Sequence, residues 1–297
     1  MKSANKEFNK LEILTSKHGF EKVNYKEKAD IYVLNTCSVT ENADKECRQL
    51  VRRIQKLSPE SFVVITGCYA QLKPEEIAKI PGVNMVLGAN EKFKLLEEVE
   101  ANLEKETQVV KHESIKHALT FNPSFSAGDR IRSFLKIQDG CDYFCTFCTI
   151  PLARGKSRNA SIESTIKEAK KLVDTPVREV VLTGVNIGDF GQGGDENFFQ
   201  LIQELDTLEG IDRFRISSIE PNLLSNEIID FCLSKSKRFM PHFHIPLQSG
   251  SDRILKLMRR KYERSVFQDR VAQIKRLNPT CCIGVDVIVG FPGETDE

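Results

Sequence analysis

Strand-like and helix-like segments alternate along most of the chain, and this alternation constrains the fold more than any other feature. Apolar, β-rich runs at 29–37 and 62–68 are each followed by a helical stretch, and the same pair recurs at 83–87 and 92–103. Strands that alternate with helices require a parallel sheet with crossover helices. The sequence therefore predicts an N-terminal parallel α/β sandwich domain over residues 1–104.

A second series of the same kind follows residues 105–130, which lose the alternation and are predicted to be a linker. Strand-like runs occur at 133–140, 179–186, 213–220, 242–249 and 281–290. Five such strands with helical stretches between them predict a partial (β/α) barrel over residues 131–297, with its active site at the carboxyl ends of the strands. Because no helix follows the fifth strand, we expect the barrel to be incomplete and the chain to be truncated.

Composition limits the classes of protein to which the chain can belong. No apolar run approaches the roughly 20 residues needed to cross a bilayer, and the N-terminus MKSANKEFNK lacks the apolar core of a signal peptide. We therefore expect a cytoplasmic protein without membrane contact. The 43 basic and 42 acidic residues balance, so any nucleic-acid site must be a local patch. Nine cysteines without an export signal indicate metal ligands or buried thiols rather than disulfides.

Three of these cysteines lie together on one predicted loop. Cys141, Cys145 and Cys148 form the motif CDYFCTFC directly after the strand-like run 133–140. Three thiolates at this spacing can hold an iron–sulfur cubane and leave its fourth iron without a protein ligand. A zinc site would require a fourth ligand, and neither a cysteine nor a histidine lies nearby in sequence. The spacing favours a cluster with one open iron over three neighbouring buried cysteines.

This motif, together with the later segments TGVN, SSIEP, HIPLQSG and GVDVIVGFPGE, resembles the radical S-adenosylmethionine (SAM) superfamily, and within it the methylthiotransferases. The segment RSFLKIQDGCDYFCTFCTIPLARGKSR is similar to the branch that methylthiolates threonylcarbamoyladenosine next to the anticodon of tRNA. The resemblance implies a transferase with a [4Fe-4S] cluster and SAM. It also implies tRNA as substrate and an electron donor such as a flavodoxin or ferredoxin, and we expect a monomer. The alternatives are isopentenyladenosine in tRNA, an aspartate of a ribosomal protein, or an inactive cluster-binding fragment.

The resemblance also implies a second, auxiliary [4Fe-4S] cluster at Cys37 and Cys68 with a third cysteine further upstream. The family register places that cysteine at about Met1, and no cysteine precedes Cys37. We therefore expect either a truncated start or an N-terminal domain that holds no cluster. Taken as residues alone, the two cysteines could also be small buried side chains. The same interpretation is preferred for the remaining cysteines: Cys47, Cys232, Cys281 and Cys282.

A barrel presents its chemistry at the strand ends, and the family resemblance implies that polar residues there contact SAM. With Phe147 from the cysteine loop, the predicted cofactor-binding residues are Thr183, Gly184, Asn186, Ser217, Glu220, Gln248 and Ser249, and Ser218 and Ser251 are further candidates. Several of them could instead cap the following helices. Phe144 and Phe147 are expected to shield the cluster. Gly290 and Gly293 are expected to allow a close backbone approach to the adenine.

Two basic groups and two histidines complete the candidates. Arg154, Lys156 and Arg158 follow the cysteine loop and are the favoured contacts to tRNA phosphates, with Arg154 and Lys156 near the carboxylate of a threonylcarbamoyl group. A second basic group comprises Arg259, Arg260 and Lys261 and is the less favoured candidate for contacts to tRNA phosphates. His242 and His244 share one face of a strand and are interpreted as hydrogen-bonded core histidines or as histidines that line the barrel.

Overall fold

The computed structural model describes residues 20–21, 23–24, 26–36, 41–105, 107–117, 120–126 and 131–296. The chain divides into two compact units. The first comprises Met1–Leu119 and Thr149–Lys156, and the second comprises Thr120–Cys148 and Ser157–Glu297. Cys37 lies outside the described residues.

The first unit is built on a four-stranded parallel sheet whose strands follow chain order. Its strands are β1 (Ile31–Thr36), β2 (Phe62–Gly67), β3 (Met85–Leu87) and β4 (Val109–Lys111). Its helices are α1 (Glu41–Leu57), α2 (Cys68–Leu72), α3 (Pro74–Ala78) and α4 (Leu95–Asn102), the last preceded by a 3₁₀ turn at Glu91–Lys94. Parallel pairing requires the connections between strands to cross over the sheet, as the sequence predicted.

Both faces of this sheet are buried, which explains the continuous apolar run of β2. On one face Val63 and Ile65 pack with Val51 of α1. On the other face Val64 packs with Leu95 of α4. Helices therefore cover both faces, and the predicted parallel α/β sandwich is confirmed.

The segment predicted to be a linker differs from that prediction. Val109–Lys111 forms β4 on the edge of the first sheet, and Ser124–Phe125 forms β5, which pairs antiparallel with the next strand. Runs of two or three residues are too short to show alternation of apolar and polar side chains, so neither strand was visible in the sequence. The first unit accordingly extends to Leu119 rather than to residue 104.

The second unit contains five parallel-paired βα strands in chain order, as predicted. Its remaining strands are β6 (Arg132–Lys136), β7 (Gln138–Asp139), β8 (Arg158–Asn159), β9 (Glu179–Thr183), β10 (Arg213–Ile216), β11 (His242–His244) and β12 (Cys282–Gly284). Strands β6, β9 and β10 form one parallel sheet, and β11 pairs parallel with β12. Isolated parallel bridges at Phe214–Phe239 and Ser218–His244 continue the pairing from β10 towards β11. Strands β7 and β8, which lie between β6 and β9 in the chain, pair antiparallel with each other.

Helices lie between these strands. They are α5 (Ile150–Arg154), which belongs to the first unit, α6 (Ile162–Lys170), α7 (Phe198–Asp206), α8 (Asn226–Asp230), α9 (Asp252–Leu257) and α10 (Arg264–Leu277). A π turn at Phe231–Lys235 continues α8. Side chains of Ser161, Asn197 and Ser225 cap α6, α7 and α8. No helix in the described ranges has the length and apolar character of a membrane span.

Every second residue of the central strands packs into one core with the helices. Val180 and Leu182 of β9 and Phe214 and Ile216 of β10 belong to this core. The strands are shorter than predicted: β10 ends at Ile216, and within its predicted polar end, 217–220, only an isolated bridge from Ser218 to His244 continues the pairing. These polar ends form the loops at the carboxyl edge of the sheet.

Candidate functional site

The three-cysteine loop lies at the carboxyl edge of the second unit, directly after β7. Cys145 is buried, Cys141 and Cys148 are partly exposed, and the amide of Cys148 donates to the carbonyl of Cys145 at 3.0 Å. Burial raises the pKa of the Cys141 thiol to about 12, and the charges of Cys145 and Cys148 add to the rise. Burial of the loop therefore disfavours the charged form of Cys141. A bound cation would reverse the pKa shift and favour the thiolates.

Gln138, which sequence reasoning missed, holds this loop against the loop after β9. Its side chain is fully buried. The Nε2 group donates to the carbonyl oxygens of Asp139 and Gly140 at 3.0 and 2.8 Å. The Oε1 atom accepts from the amides of Val185 and Asn186 at 2.9 and 2.8 Å. A single glutamine side chain therefore sets the spacing between the cysteine loop and the candidate cofactor residues.

Glycine is required at position 184 because the backbone there passes close to Gln138 and Ile187. A Cβ atom on Gly184 would lie 2.8 Å from both the carbonyl and the side-chain oxygen of Gln138, and 2.9 Å from Ile187. Neighbouring Thr183 is buried and donates from Oγ1 to the carbonyl of Leu135 at 3.2 Å. Both residues were predicted to contact a cofactor, and the structure shows them making contacts within the protein.

A buried ion network supports the base of the cysteine loop. Asp139 lies 2.8 Å from the Lys136 ammonium and 3.3 Å from the Arg158 guanidinium, and all three side chains are largely buried. Arg158 also donates from Nε to the carbonyl of Thr120 at 3.1 Å. The prediction that Arg158 contacts tRNA phosphates is therefore corrected, because its guanidinium pairs with a buried carboxylate.

Arg260 links the cysteine loop to the end of β10. Its Nη1 donates to Cys145 Sγ at 3.2 Å, and its Nη2 is in direct contact with a Glu220 carboxylate oxygen. Only 4% of the Arg260 side chain is exposed, so Arg260 does not belong to an exposed basic group with Arg259 and Lys261. Burial raises the pKa of Glu220, and the charge of Arg260 opposes that rise. The guanidinium also stacks over the Tyr262 ring, 5.0 Å from its centroid.

A buried polar cluster lies between the cysteine loop and the next two strand ends. Asn222 Nδ2 donates to Tyr143 Oη at 2.7 Å, and Asn186 Nδ2 donates to Asp189 Oδ2 at 2.7 Å. Burial raises the pKa of Asp189 to about 6 and that of Tyr143 to about 12. Among the described atoms, the Oδ1 atoms of Asn186 and Asn222 are buried and accept no hydrogen bond. Two buried acceptors of this kind fit a ligand that carries N–H or O–H donors.

A chain of polar contacts joins the ends of three further strands. Ser218 Oγ is hydrogen-bonded to His244 Nδ1, and His244 Nε2 lies 3.3 Å from Asp286 Oδ2. His242, on the same strand face, has its pKa lowered first by burial and then by Arg215. The two histidines therefore share one face of β11, as their spacing predicted, while among the described atoms His242 Nδ1 is buried without a hydrogen-bond partner.

The last predicted cofactor residues follow the third and fourth strands of the series: Ser217 comes after β10, and Gln248 and Ser249 come after β11. Gln248 has a left-handed backbone (φ 65°), and its amide donates to the Asp286 carbonyl at 2.9 Å. Ser249 is buried and its Oγ accepts from the amide of Ser251 at 3.2 Å, while Ser217 is partly buried.

The aromatic and glycine residues predicted near the cofactor lie at the surface. Phe144 and Phe147 both expose a large part of their side chains. Gly290 and Gly293 have positive φ angles of 73° and 85°, and a Cβ on Gly290 would meet no atom within 4 Å. The roles assigned to these four residues stay predictions.

In the first unit, Cys68 is the first residue of α2 and is buried at the carboxyl end of β2. The preceding Gly67 has φ 100°, and a Cβ there would lie 2.3 Å from the Thr36 carbonyl, so the ends of β1 and β2 approach closely. Arg154 ends α5, and Lys156 follows it in the same unit. In the parts of the chain that the structure describes, no three His, Cys, Asp or Glu side chains are arranged to bind a single metal ion.

The other cysteines follow their predictions with one exception. Cys47, Cys232 and Cys281 are buried in the cores. Cys282 is exposed and not part of the core, because successive residues of a strand point to opposite faces.

Comparisons with known proteins agree with this division of the chain. Residues 3–88 match the Uncharacterized protein family UPF0004, and residues 135–297 match the Radical SAM superfamily. The Threonylcarbamoyladenosine tRNA methylthiotransferase MtaB of Bacillus subtilis is 44% identical over 94% of this chain and 62% of the relative. The protein of the same name from Aquifex aeolicus is 41% identical over 94% of this chain and 68% of the relative. The chain thus spans about two thirds of the length of these relatives.

A solved structure shares the fold at low sequence identity. The radical S-adenosylmethionine methyltransferase TsrM from Kitasatospora setae, with tryptophan substrate and the SAM analogue aza-SAM bound, has a TM-score of 0.57. The identity is 15%, and the match covers 88% of this chain and 57% of that chain. At this identity the likeness concerns the fold alone.

Proposed function

The chain belongs to the radical SAM superfamily and to its methylthiotransferase family, and on this premise we propose that it adds a methylthio group to threonylcarbamoyladenosine next to the anticodon of tRNA. The curated relatives carry this substrate in their names. The observation in this structure that carries the proposal is the three-cysteine loop at the carboxyl edge of the parallel strands, where Arg260 donates to the sulfur of Cys145. An enzyme acting on tRNA would work in the cytoplasm.

Membership of the superfamily implies a [4Fe-4S] cluster and SAM, and the residues present fit both. Cys141, Cys145 and Cys148 supply three thiols within one loop, and the buried acceptors of Asn186 and Asn222 suit the ammonium group of an amino acid. These cysteines would hold the cluster. When bound, the cluster and SAM supply one-electron cleavage of a sulfonium, which is chemistry that no side chain provides.

The remaining residues of the site hold its loops in position and neutralise its charged side chains. Arg260 donates a charge-assisted hydrogen bond to Cys145 Sγ and would stabilise it as a thiolate, while its pairing with Glu220 keeps that carboxylate satisfied. Gln138 maintains the distance between the cysteine loop and the loop that carries Asn186. The geometry gives the strongest support to Asn186 as a SAM contact. Phe147, Ser217, Gln248 and Ser249 remain proposed contacts.

We extend the proposal to a second [4Fe-4S] cluster in the first unit. Cys68 is buried at the carboxyl end of β2, where parallel βα units place their ligands. Cys37 is the second proposed ligand and follows β1 in sequence. This chain contains no cysteine before Cys37, so the proposed site has at most two thiolates from this chain in its strand-end loops.

The threonylcarbamoyl group carries a carboxylate, so its pocket needs a cation or a set of donors, whereas isopentenyladenosine needs an apolar slot. Arg154 and Lys156 are the proposed cations. Assay on tRNA bearing either hypermodification, with mass spectrometry of the nucleosides, should show methylthio-threonylcarbamoyladenosine. Methylthio-isopentenyladenosine, or a modified ribosomal protein, would overturn the substrate and leave the radical chemistry intact.

The cluster site is tested by Cys145→Ala with Cys47→Ala as the matched control, since both side chains are buried thiols. After anaerobic reconstitution, Cys145→Ala should lose the iron of the loop, its brown colour and the cleavage of SAM to 5′-deoxyadenosine. Cys47→Ala should keep all three. If iron, colour and SAM cleavage survive in Cys145→Ala, the central assignment is wrong.

A further inference from the structure

The guanidinium of Arg260 is a buried cation that contacts a cysteine sulfur, although its neighbours in the chain lie at the surface. Arg259 and Lys261 are exposed, whereas only 4% of the Arg260 side chain is exposed. The backbone of Arg259 is left-handed, with φ 59°, a conformation that bulky residues rarely adopt and that persists only where the surrounding structure maintains it. The turn at Arg259 thus brings one cation of this basic run into the interior.

Tyr262 fixes the position of this guanidinium. Arg260 Nε donates to Tyr262 Oη at 3.3 Å, and Arg260 Cζ lies 5.0 Å from the centroid of the Tyr262 ring. Tyr262 Oη is in turn hydrogen-bonded to the carbonyl oxygens of Pro246 and Leu247, at 2.7 and 2.9 Å. Because Pro246 and Leu247 follow β11 directly, Tyr262 anchors the guanidinium to the end of a barrel strand.

The cysteine loop is attached to the same segment by its own hydrogen bonds. The amide of Thr146, the residue after Cys145, donates to the carbonyl of Met258 at 3.2 Å. Thr146 Oγ1 also donates to the carbonyl of Leu257 at 3.3 Å. The distance of 3.2 Å between Arg260 Nη1 and Cys145 Sγ is therefore maintained by contacts of the backbone on both sides.

Glu220 makes the buried charge at this sulfur an ion pair. Arg260 Nη1 donates to Cys145 Sγ, while Nη2 contacts a carboxylate oxygen of Glu220. Both side chains are largely buried, with 4% and 16% exposed, so water screens their charges weakly. The positive member of the pair touches the sulfur, and the negative member lies on the other side of the guanidinium. The nearer positive charge therefore has the larger effect at the sulfur.

We propose that the Arg260–Glu220 ion pair sets the reduction potential of the cluster that the cysteine loop would hold, an inference that rests on the proposed function. In the reduction, one electron passes from a reductant such as dithionite to the cluster, so the reductant is oxidised by one electron and the cluster becomes more negative by one charge. The guanidinium favours this more negative form, and the carboxylate opposes it. No bond to either side chain forms or breaks.

A redox titration of the reconstituted protein with dithionite, followed by electron paramagnetic resonance, measures this potential without SAM, tRNA or turnover. Glu220→Gln removes the opposing charge and keeps Arg260 beside Cys145, so one-electron reduction should become about 10-fold more favourable, a rise of about 59 mV. Adding Arg260→Met should lower the potential below that of Glu220→Gln by at least about the same amount, and below that of the wild type. Neither variant buries a carboxylate without its partner.

Glu179→Gln is the matched control. Glu179 is also a buried carboxylate paired with arginines, but it begins β9 at the amino edge of the sheet, away from the cysteine loop. Its partners are Arg132, Arg213 and Arg215. The potential of this variant should equal that of the wild type, because its lost charge is distant from the loop.

The outcomes separate this inference from the proposed function. Equal potentials in all four proteins, or an equal rise in Glu179→Gln, would overturn the role of the ion pair. Weaker binding of SAM at an unchanged potential would assign the pair to cofactor binding and would also overturn it. If the wild type assembled no cluster on the cysteine loop, the proposed function would be refuted and this inference with it, whereas an assembled cluster whose potential ignores both residues would refute this inference alone.

Discussion

Replacing Gln138 with methionine tests the idea that one buried amide joins the cysteine loop to the cofactor loop. Methionine matches the length and volume of glutamine but neither donates nor accepts strong hydrogen bonds. The amides of Val185 and Asn186 would lose their acceptor, and the Gly140 carbonyl would lose its donor at 2.8 Å. Gln138 itself is completely buried, so water cannot replace it without entering the core.

The magnitude follows from the groups left without partners. Each buried amide that loses its acceptor costs about 1–3 kcal/mol, so the two amides together predict about 2–6 kcal/mol of destabilisation. This is a large share of the roughly 5–15 kcal/mol that holds a typical domain folded. Gln108→Met is the control, because Gln108 is exposed and only donates, to the carbonyls of Ala78 and Val83. Its cost should stay within about 1 kcal/mol.

Urea unfolding measures the two free energies, and hydrogen exchange followed by mass spectrometry measures the local effect. In Gln138→Met the peptide containing Val185 and Asn186 should exchange faster than in the wild type, and iron retention by the cysteine loop should fall. An unfolding free energy within about 0.5 kcal/mol of the wild type, with unchanged exchange, would refute the assigned role of Gln138.

Two further predictions concern buried charges. The pKa of Asp189 is raised from 3.8 to about 6, so the native state binds the extra proton, and this contribution is complete below about pH 4 and lost as pH rises through about 6. The free energy of unfolding of Asp189→Asn should therefore exceed that of the wild type by up to about 3 kcal/mol at about pH 8 and differ little from it at about pH 4. Urea unfolding at each pH measures this difference, and a difference that does not depend on pH would contradict the pKa shift. Arg260→Met should cost about 3–5 kcal/mol because it leaves the Glu220 carboxylate buried without a partner. Adding Glu220→Gln should restore most of that loss, and a double variant as unstable as the single would show that the charge is not the cause.

The elements of the fold were largely readable from local sequence. Helix α1 and strand β2 show the periodicities of an amphipathic helix and of a strand buried on both faces, and Pro74 marks the start of α3 as expected of a residue without an amide hydrogen. The spacing of Cys141, Cys145 and Cys148 predicted the cysteine loop because all three residues lie within eight positions of the sequence. Strands β4 and β5 were missed because runs of two or three residues carry no period.

The partners of the site's charged and polar side chains depended on tertiary structure. Arg158 and Arg260 looked like surface cations, yet one pairs with buried Asp139 and the other contacts Cys145, which is 115 residues away in sequence. Gln138 gave no signal, because its hydrogen-bond partners lie 47 and 48 residues further along the chain. Periodicity and motif spacing report neighbours in sequence, so they determined which segments form strands, helices and the cysteine loop. Burial and hydrogen bonding between distant segments exist only after the strands pair, and for that physical reason the folded structure alone decided which polar side chains serve the site.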